Sequence, residues 1–274
     1  MDKYTVGLAF GLTLFAGLST GIGSAMVCWA RKTNTRFLAV SLGFSAGVML
    51  YVSLVDIIRE SEGFLVAELG KGRGEWLTAA AFFAGVFIIG LIDKLVPSQK
   101  NPHEAHRVES LQVADGKADS ESGKIKLLRM GLFTALAIAI HNFPEGIAAF
   151  TASLQSTSLG IPIAIAIAIH NIPEGIAVAV PVYYATGNRR KAFKYSLASG
   201  LSEPLGALLG FVLFSNYMND IFFGVIFAAV AGIMVFISID ELLPAAKEYD
   251  QGHLPVYGVF AGMAVMAISL LLFH

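Results

Sequence analysis

Long apolar runs dominate this chain of 274 residues, and each is close to the roughly 20 residues that a helix needs to cross a bilayer. Charged residues make up only 14% of the chain, well below the roughly 25% of an ordinary soluble domain. The runs are Thr5–Ala30, Phe37–Ile58, Trp76–Val96, Leu127–Leu154, Gly160–Ala185, Ala192–Tyr217, Ile221–Ala246 and Pro255–Phe273. The sequence therefore predicts an all-α polytopic membrane protein with eight transmembrane helices, forming a single transmembrane domain over residues 1–274.

The basic residues between the runs predict the orientation of the chain. Lys and Arg concentrate in cytoplasmic connections. Successive connections lie on opposite sides of the membrane, and all but four of the 19 Lys and Arg residues lie in the connections of one side. The four exceptions, on the side of the N-terminus, are Lys3, Arg59, Lys71 and Arg73. We therefore expect a multi-pass protein of the cell (inner) membrane with both termini on the outer side. No basic stripe typical of nucleic-acid binding is present, and Cys28 is the single cysteine, which excludes internal disulfides and multi-thiolate metal sites.

One connection differs from the others in composition. Residues 97–126 are polar, rich in Ser, Asp, Glu and Lys, and poor in aromatic residues, which predicts a flexible cytoplasmic loop. The loop contains His103 and His106, spaced as His-x-x-His. These two histidines either bind metal transiently or are simply solvated, and the sequence leaves both interpretations open.

Two internal repeats predict the symmetry of the helices. Ala135–Phe150 and Ala164–Ala179 are identical at 12 of 16 positions. They lie in the fourth and fifth runs, which a short connection makes antiparallel. Residues 46–54 of the second run resemble residues 231–239 of the seventh in the same way. Inverted repeats of this kind are typical of secondary transporters, so we expect three helices, a central pair and three further helices in an inverted 3+2+3 arrangement.

The strongest repeat carries polar side chains inside apolar helices. Each copy reads His-Asn-x-Pro-Glu-Gly, and spacings of three and four residues place its His, Asn and Glu on one helix face. A charged side chain at the bilayer centre costs about 2.5–3.5 kcal/mol on insertion scales, so a bound divalent cation is the expected compensation. The candidate metal ligands are His141, Asn142, Glu145, His170, Asn171 and Glu174, joined by Glu203 of the Ser-Glu-Pro motif in the sixth run.

The chemical types of these ligands indicate which ions they bind. Imidazole, carboxylate and amide oxygen suit Zn²⁺, Fe²⁺, Mn²⁺ or Cd²⁺ and disfavour Cu⁺, which prefers sulfur ligands. The metal is then a substrate, and no organic cofactor is expected.

Acidic residues also mark the ends of the predicted spans. Asp56 is expected at the outer end of the second span, and Asp93, Asp240 and Glu241 at the cytoplasmic ends of the third and seventh. Asp56 and Glu241 occupy equivalent places in the inverted repeat. Such acids either concentrate cations along a transport pathway or are ordinary interfacial charges.

These motifs together resemble the ZIP (Zrt-/Irt-like) family of divalent metal transporters over essentially the whole chain. The resemblance rests on His-Asn-x-Pro-Glu-Gly in the fourth and fifth spans, Ser-Glu-Pro in the sixth and Asp-Glu-Leu-x-Pro in the seventh. It implies import of zinc and related metals into the cytosol through a binuclear site. His141, Glu145, His170 and Glu174 would form one position, with the two glutamates bridging to the second. The resemblance also implies a homodimer and an elevator-like or rocking movement.

Two other functional classes are alternatives to a transporter. Membrane-embedded metalloenzymes also use paired His and Glu helices, but di-iron bundles require Glu-x-x-His and zinc proteases His-Glu-x-x-His, and the chain has neither motif. A metal-sensing receptor would need an output domain, which the short tails are not expected to provide. The sequence therefore favours a transporter over an enzyme.

Overall fold

The computed structural model describes residues 3–29, 35–95, 121–215, 217, 219–250 and 252–273. Within those ranges every regular element is helical. In chain order, the spans are Lys3–Trp29; Thr35–Tyr51 continuing through Val52–Ile57 into Ile58–Leu69; Lys71–Leu95; Glu121–Gln155; Thr157–Thr186; Arg189–Gly200 followed by Ser202–Phe214; Asp220–Ile237 continuing through Ser238–Leu242 into Leu243–Tyr249; and Leu254–Phe273. The predicted all-α polytopic fold is confirmed.

Seven of these helices are long and apolar enough to cross a membrane. The remaining predicted span, Leu127–Leu154, lies within the 35-residue helix Glu121–Gln155. This helix begins inside the segment 97–126, whose last six residues are therefore helical. The rest of that segment, with His103 and His106, lies outside the described residues, and the orientation of the termini stays a prediction.

The second and seventh helices extend further than their apolar runs. The helix of the second span continues past Ile58 to Leu69 and ends at Gly70, whose φ of 80° is readily adopted only by glycine. The seventh continues to Tyr249. The length of an apolar run reflects the thickness of the bilayer. A helix can continue beyond the bilayer until its backbone hydrogen bonding ends. Asp56 and Glu241 consequently lie inside continuous helices that extend beyond the predicted membrane spans.

Close backbone contacts at glycine bring the outer helices together in symmetric pairs. A Cβ added to Gly47 of the second span would collide with the carbonyl of Val259 in the eighth, and one added to Gly232 of the seventh would collide with the carbonyl of Phe82 in the third. Gly47 and Gly232 are equivalent in the repeat that the sequence predicted. The second and eighth spans therefore pack as the seventh and third do.

The inner helices also pack in symmetric pairs through close backbone contacts at glycine. Gly146 of the fourth span lies against the carbonyl of Glu203 in the sixth, and Gly175 of the fifth lies against the carbonyl of Thr20 in the first. Gly146 and Gly175 are equivalent positions of the repeated motif. The first span is therefore the symmetry counterpart of the sixth, and the inverted 3+2+3 arrangement is complete.

Candidate functional site

The fourth and fifth spans place the two motifs side by side at the centre of the protein. Ser156 caps the fifth helix by accepting a hydrogen bond from the Leu159 N–H, and this tight connection makes the two helices antiparallel. All seven candidate ligands are buried, with at most 1% of each side chain exposed: His141, Asn142, Glu145, His170, Asn171, Glu174 and Glu203. The structure therefore brings all of the predicted ligand residues into the protein interior.

The histidines and glutamates pair between the helices. His170 Nε2 lies 3.1 Å from Glu145 Oε2, and His141 Nε2 lies 3.4 Å from Glu174 Oε2. Each histidine thus faces the glutamate of the other copy of the motif. The helical spacing correctly predicted that His and Glu of one copy share a face, and the packing adds the cross-helix partner.

Asn171 and Glu203 form a second contact beside these pairs. Asn171 Nδ2 donates a hydrogen bond to Glu203 Oε1 and another to the Ala16 carbonyl at 2.9 Å. This places the first, fifth and sixth spans around one polar group. Asn142, the counterpart of Asn171, makes no side-chain hydrogen bond to any described residue, so the two halves of the site differ.

Several buried polar atoms at this centre have no hydrogen-bond partner among the described residues. Each of these atoms can coordinate a cation or form a hydrogen bond with water. They are both amide atoms of Asn142, Glu145 Oε1, His170 Nδ1, Asn171 Oδ1, Glu203 Oε2 and Thr20 Oγ1. A buried polar group left unsatisfied costs about 1–3 kcal/mol, and native interiors contain few of them. Because so many of these atoms lie close together, we expect the centre to enclose a polar group or an ion that satisfies them.

The geometry of the two His–Glu pairs suits a metal ion. Zinc binds nitrogen and oxygen at about 2.0–2.2 Å, so two ligands of one tetrahedral zinc lie about 3.3 Å apart. The observed N–O separations of 3.1 Å and 3.4 Å bracket that value. In the part of the chain that the structure describes, no three His, Cys, Asp or Glu side chains complete a metal-binding group by themselves. Further ligands would have to come from the asparagines, from water or from a small movement of the helices.

Of the acids predicted to mark the pathway, Glu241 lies beside a residue of the centre. Glu241 Oε2 is 3.9 Å from His141 Nδ1, on the opposite edge of the ring from Glu174. Glu241 and Asp56 lie within π-helical turns of equivalent helices, Ser238–Leu242 and Val52–Ile57, and both are buried. Insertions of this kind occur frequently at functional sites. The other two acids differ: Asp93 is half-buried and Asp240 is exposed.

Two residues at the centre were missed by the sequence analysis. Ser45 of the second span donates a hydrogen bond to the His170 carbonyl at 3.3 Å. Thr20 of the first span is fully buried with an unpartnered hydroxyl. Neither residue belongs to a repeated motif. Thr20 could have been found by aligning the first span with the sixth, because Gly17 and Gly23 have the same spacing around Thr20 as Gly200 and Gly206 have around Glu203.

Comparison with known proteins agrees with this architecture. A family model described as ZIP Zinc transporter matches residues 6–270. The chain is 60% identical over 265 residues to the Zinc transporter ZupT of Oceanobacillus iheyensis, covering 97% of each protein. It is 58% identical over 277 residues to the protein of the same name from Nitratidesulfovibrio vulgaris, covering 100% of this chain and 99% of the relative. The relative of that name from Streptococcus mutans is 57% identical, again with 97% of each covered.

Family and fold lead to the same conclusion about the class of protein. The match runs through all the described spans, and the helices identify a multi-pass protein of the cell membrane. The resemblance seen in the sequence motifs is confirmed: the chain belongs to the ZIP zinc transporter family, a family of membrane transporters and not of enzymes.

Proposed function

We propose that this protein imports zinc into the cytosol through a binuclear metal site between the fourth, fifth and sixth spans. Related divalent ions with the same ligand preferences, Fe²⁺, Mn²⁺ and Cd²⁺, are proposed as further substrates. Zinc as the main cargo is supported by the family and by relatives that are named zinc transporters.

The observation that carries the proposal is the charge of the buried centre. Glu145, Glu174 and Glu203 are each 0% exposed. Among the described residues no Lys or Arg is buried with them, so the two imidazoles are the only buried partners there that can carry a positive charge. Buried carboxylates without full compensation are costly in a membrane. A divalent cation supplies the missing positive charge and also satisfies the unpartnered oxygens.

The ligands divide into two adjoining positions. His141, Glu145, His170 and Glu174 are proposed to form the first, and the two His–Glu contacts between the fourth and fifth spans support this assignment. Asn142, Asn171 and Glu203 surround the second, with the two glutamates shared between the positions. A shared carboxylate can contact two ions with its two oxygens, but it supplies only one negative charge to both, which suits a site that must bind metal and also release it.

Import as the direction of transport is proposed from the resemblance to the ZIP family, and the acids on either side of the centre are proposed to line the pathway. With both termini outside, Asp56 lies on the outer side of the site and Glu241 on the cytoplasmic side. Asp93 and Asp240 are proposed to extend the cytoplasmic pathway. A metal ion moving inward would pass Asp56, the buried centre and Glu241 in turn.

Uptake by sealed proteoliposomes tests the proposal. Purified protein is reconstituted, and entry of radioactive zinc is compared with that of protein-free vesicles, with Fe²⁺, Mn²⁺ or Cd²⁺ as competitors. Zinc accumulation that a Glu145→Ala variant lacks supports transport through this centre. Binding without accumulation would indicate a sensor or enzyme and contradict the proposal. Zinc content of intact cells expressing the protein then distinguishes import from export, and mass measurement in detergent tests the proposed homodimer.

A further inference from the structure

Thr20 occupies the place in the first span that Glu203 occupies in the sixth. The carbonyl of Glu203 lies against Gly146, and the carbonyl of Thr20 lies against the equivalent Gly175. The correspondence continues along both helices. Gly23, three residues after Thr20, lies against the carbonyl of Ile172, and Gly206, three residues after Glu203, lies against that of Phe143. Position 20 is therefore the symmetry counterpart of a proposed metal ligand.

The hydroxyl of Thr20 lacks the partner that a buried threonine ordinarily has in a helix. Thr13 of the same helix donates to the carbonyl four residues earlier, Ala9, at 2.9 Å. For Thr20 the corresponding acceptor is the Ala16 carbonyl. That oxygen already accepts from Ser19 Oγ at 2.6 Å and from Asn171 Nδ2 at 2.9 Å. Thr20 is 0% exposed, and its Oγ1 has no hydrogen-bond partner among the described residues.

These contacts also locate the hydroxyl. Ala16 lies one helical turn before Thr20, and its carbonyl accepts the hydrogen bond from Asn171. Across the helix interface, a Cβ added to Gly200 would lie 2.6 Å from Thr20 Oγ1, and Gly200 lies one turn before Glu203. Thr20 therefore lies one helical turn from the residue that accepts from Asn171, and against the glycine one turn before Glu203. Asn171 Oδ1 and Glu203 Oε2 are unpartnered as well, so three helices each contribute one unsatisfied oxygen to this region.

We infer that Thr20 is a further residue of the metal centre, whose hydroxyl oxygen supports a divalent cation at the second position, beside Asn171 and Glu203. A hydroxyl, an amide and a carboxylate form an all-oxygen set, the kind preferred by harder ions and by ions that keep some of their water. Because Thr20 is neutral where its counterpart is a carboxylate, the centre carries one negative charge fewer than full symmetry would give. This inference rests on the metal centre proposed above.

Equilibrium zinc binding by the purified full-length protein tests the assignment. Thr20→Val keeps the shape of the side chain and removes only the hydroxyl, Thr20→Ser keeps the hydroxyl, and Thr13→Val is the matched control in the same helix. We expect Thr20→Val to weaken zinc binding by about 10-fold or more, the range seen when an outer partner of a metal site is removed. Thr13→Val should bind zinc as the unmodified protein does, and Thr20→Ser, which keeps the oxygen, should bind zinc more tightly than Thr20→Val.

The thermal stability of the zinc-free protein separates a ligand from a packing residue. Removing an unsatisfied buried hydroxyl does not cost a hydrogen bond, so zinc-free Thr20→Val should melt at the same temperature as the unmodified protein or higher. A lower melting temperature together with weaker binding would show a packing role and overturn the inference. Normal zinc binding by Thr20→Val would overturn it too. If Glu203→Ala then still abolished tight binding, the proposed function would stand without Thr20, whereas normal binding by Glu203→Ala would remove the second metal position itself.

Discussion

His170 Nε2 lies 3.1 Å from Glu145 Oε2 across the interface of the fourth and fifth spans. Each residue comes from a different copy of the repeated motif, so neither copy makes this contact by itself. The proposed metal site therefore requires that the two antiparallel helices pack together. Removing one glutamate therefore affects both copies at once, and this arrangement leads to the first prediction.

Glu145→Ala or Glu174→Ala should reduce zinc uptake to the level of protein-free vesicles. Each glutamate pairs with a histidine and is proposed to bridge both metal positions. Asn142→Ala, which removes a ligand of one position only, should retain measurable uptake. The measurement is the initial rate of zinc entry into proteoliposomes, normalised to inserted protein. Near-normal uptake by either glutamate variant would remove the paired site from the transport pathway.

Asn171→Ala should destabilise the zinc-free protein more than Asn142→Ala does. Asn171 donates to Ala16 and Glu203, whereas the Asn142 amide has no partner among the described residues. The Ala16 carbonyl still accepts from Ser19 Oγ, but the buried Glu203 Oε1 loses its donor, at a cost of about 1–3 kcal/mol. Thermal unfolding in detergent, with zinc removed by a chelator, measures the difference. Equal melting temperatures for the two variants would show that the asymmetry between the asparagines has no energetic consequence.

Gly146→Ala should impair uptake strongly. A Cβ at this position would collide with the Glu203 carbonyl, a backbone atom that can yield only if the sixth span moves, and that movement displaces the Glu203 side chain. Gly11→Ala is the matched control, since a Cβ there meets nothing within 4 Å and alanine favours a helix by up to about 1 kcal/mol. Uptake and melting temperature should be normal for Gly11→Ala. An active Gly146→Ala variant would contradict the tight packing of the fourth and sixth spans.

Deleting residues 101–120 should leave zinc uptake largely intact. All of the proposed ligands lie in the spans, and the deletion ends before the helix Glu121–Gln155 begins. Uptake is measured at equal protein level in the membrane, beside a variant in which only His103 and His106 are replaced by Ala. If both changes stop uptake, the two histidines of the predicted loop belong to the transport pathway.

Sequence by itself determined the fold class, the inverted repeat and the chemistry of the ligands. The length of the apolar runs set the number of helices, and identical motifs in antiparallel neighbours set the symmetry. Unpaired carboxylates in apolar helices indicated a cation. These properties could be predicted because they depend on local composition and on spacing along one helix, which a linear sequence records directly.

Tertiary structure alone decided which side chains meet. Helical spacing places His141 and Glu145 on one face, but only packing shows that His141 faces Glu174. Packing also decides the hydrogen bonds of the two asparagines. Asn171 donates to Ala16 and Glu203, whereas the side chain of its counterpart Asn142 has no hydrogen-bond partner among the described residues. Thr20 belongs to neither repeated motif, and its correspondence with Glu203 is established by glycine contacts between distant helices. These relationships join residues far apart in the chain, and the close approach of backbones that creates them is a property of three-dimensional packing.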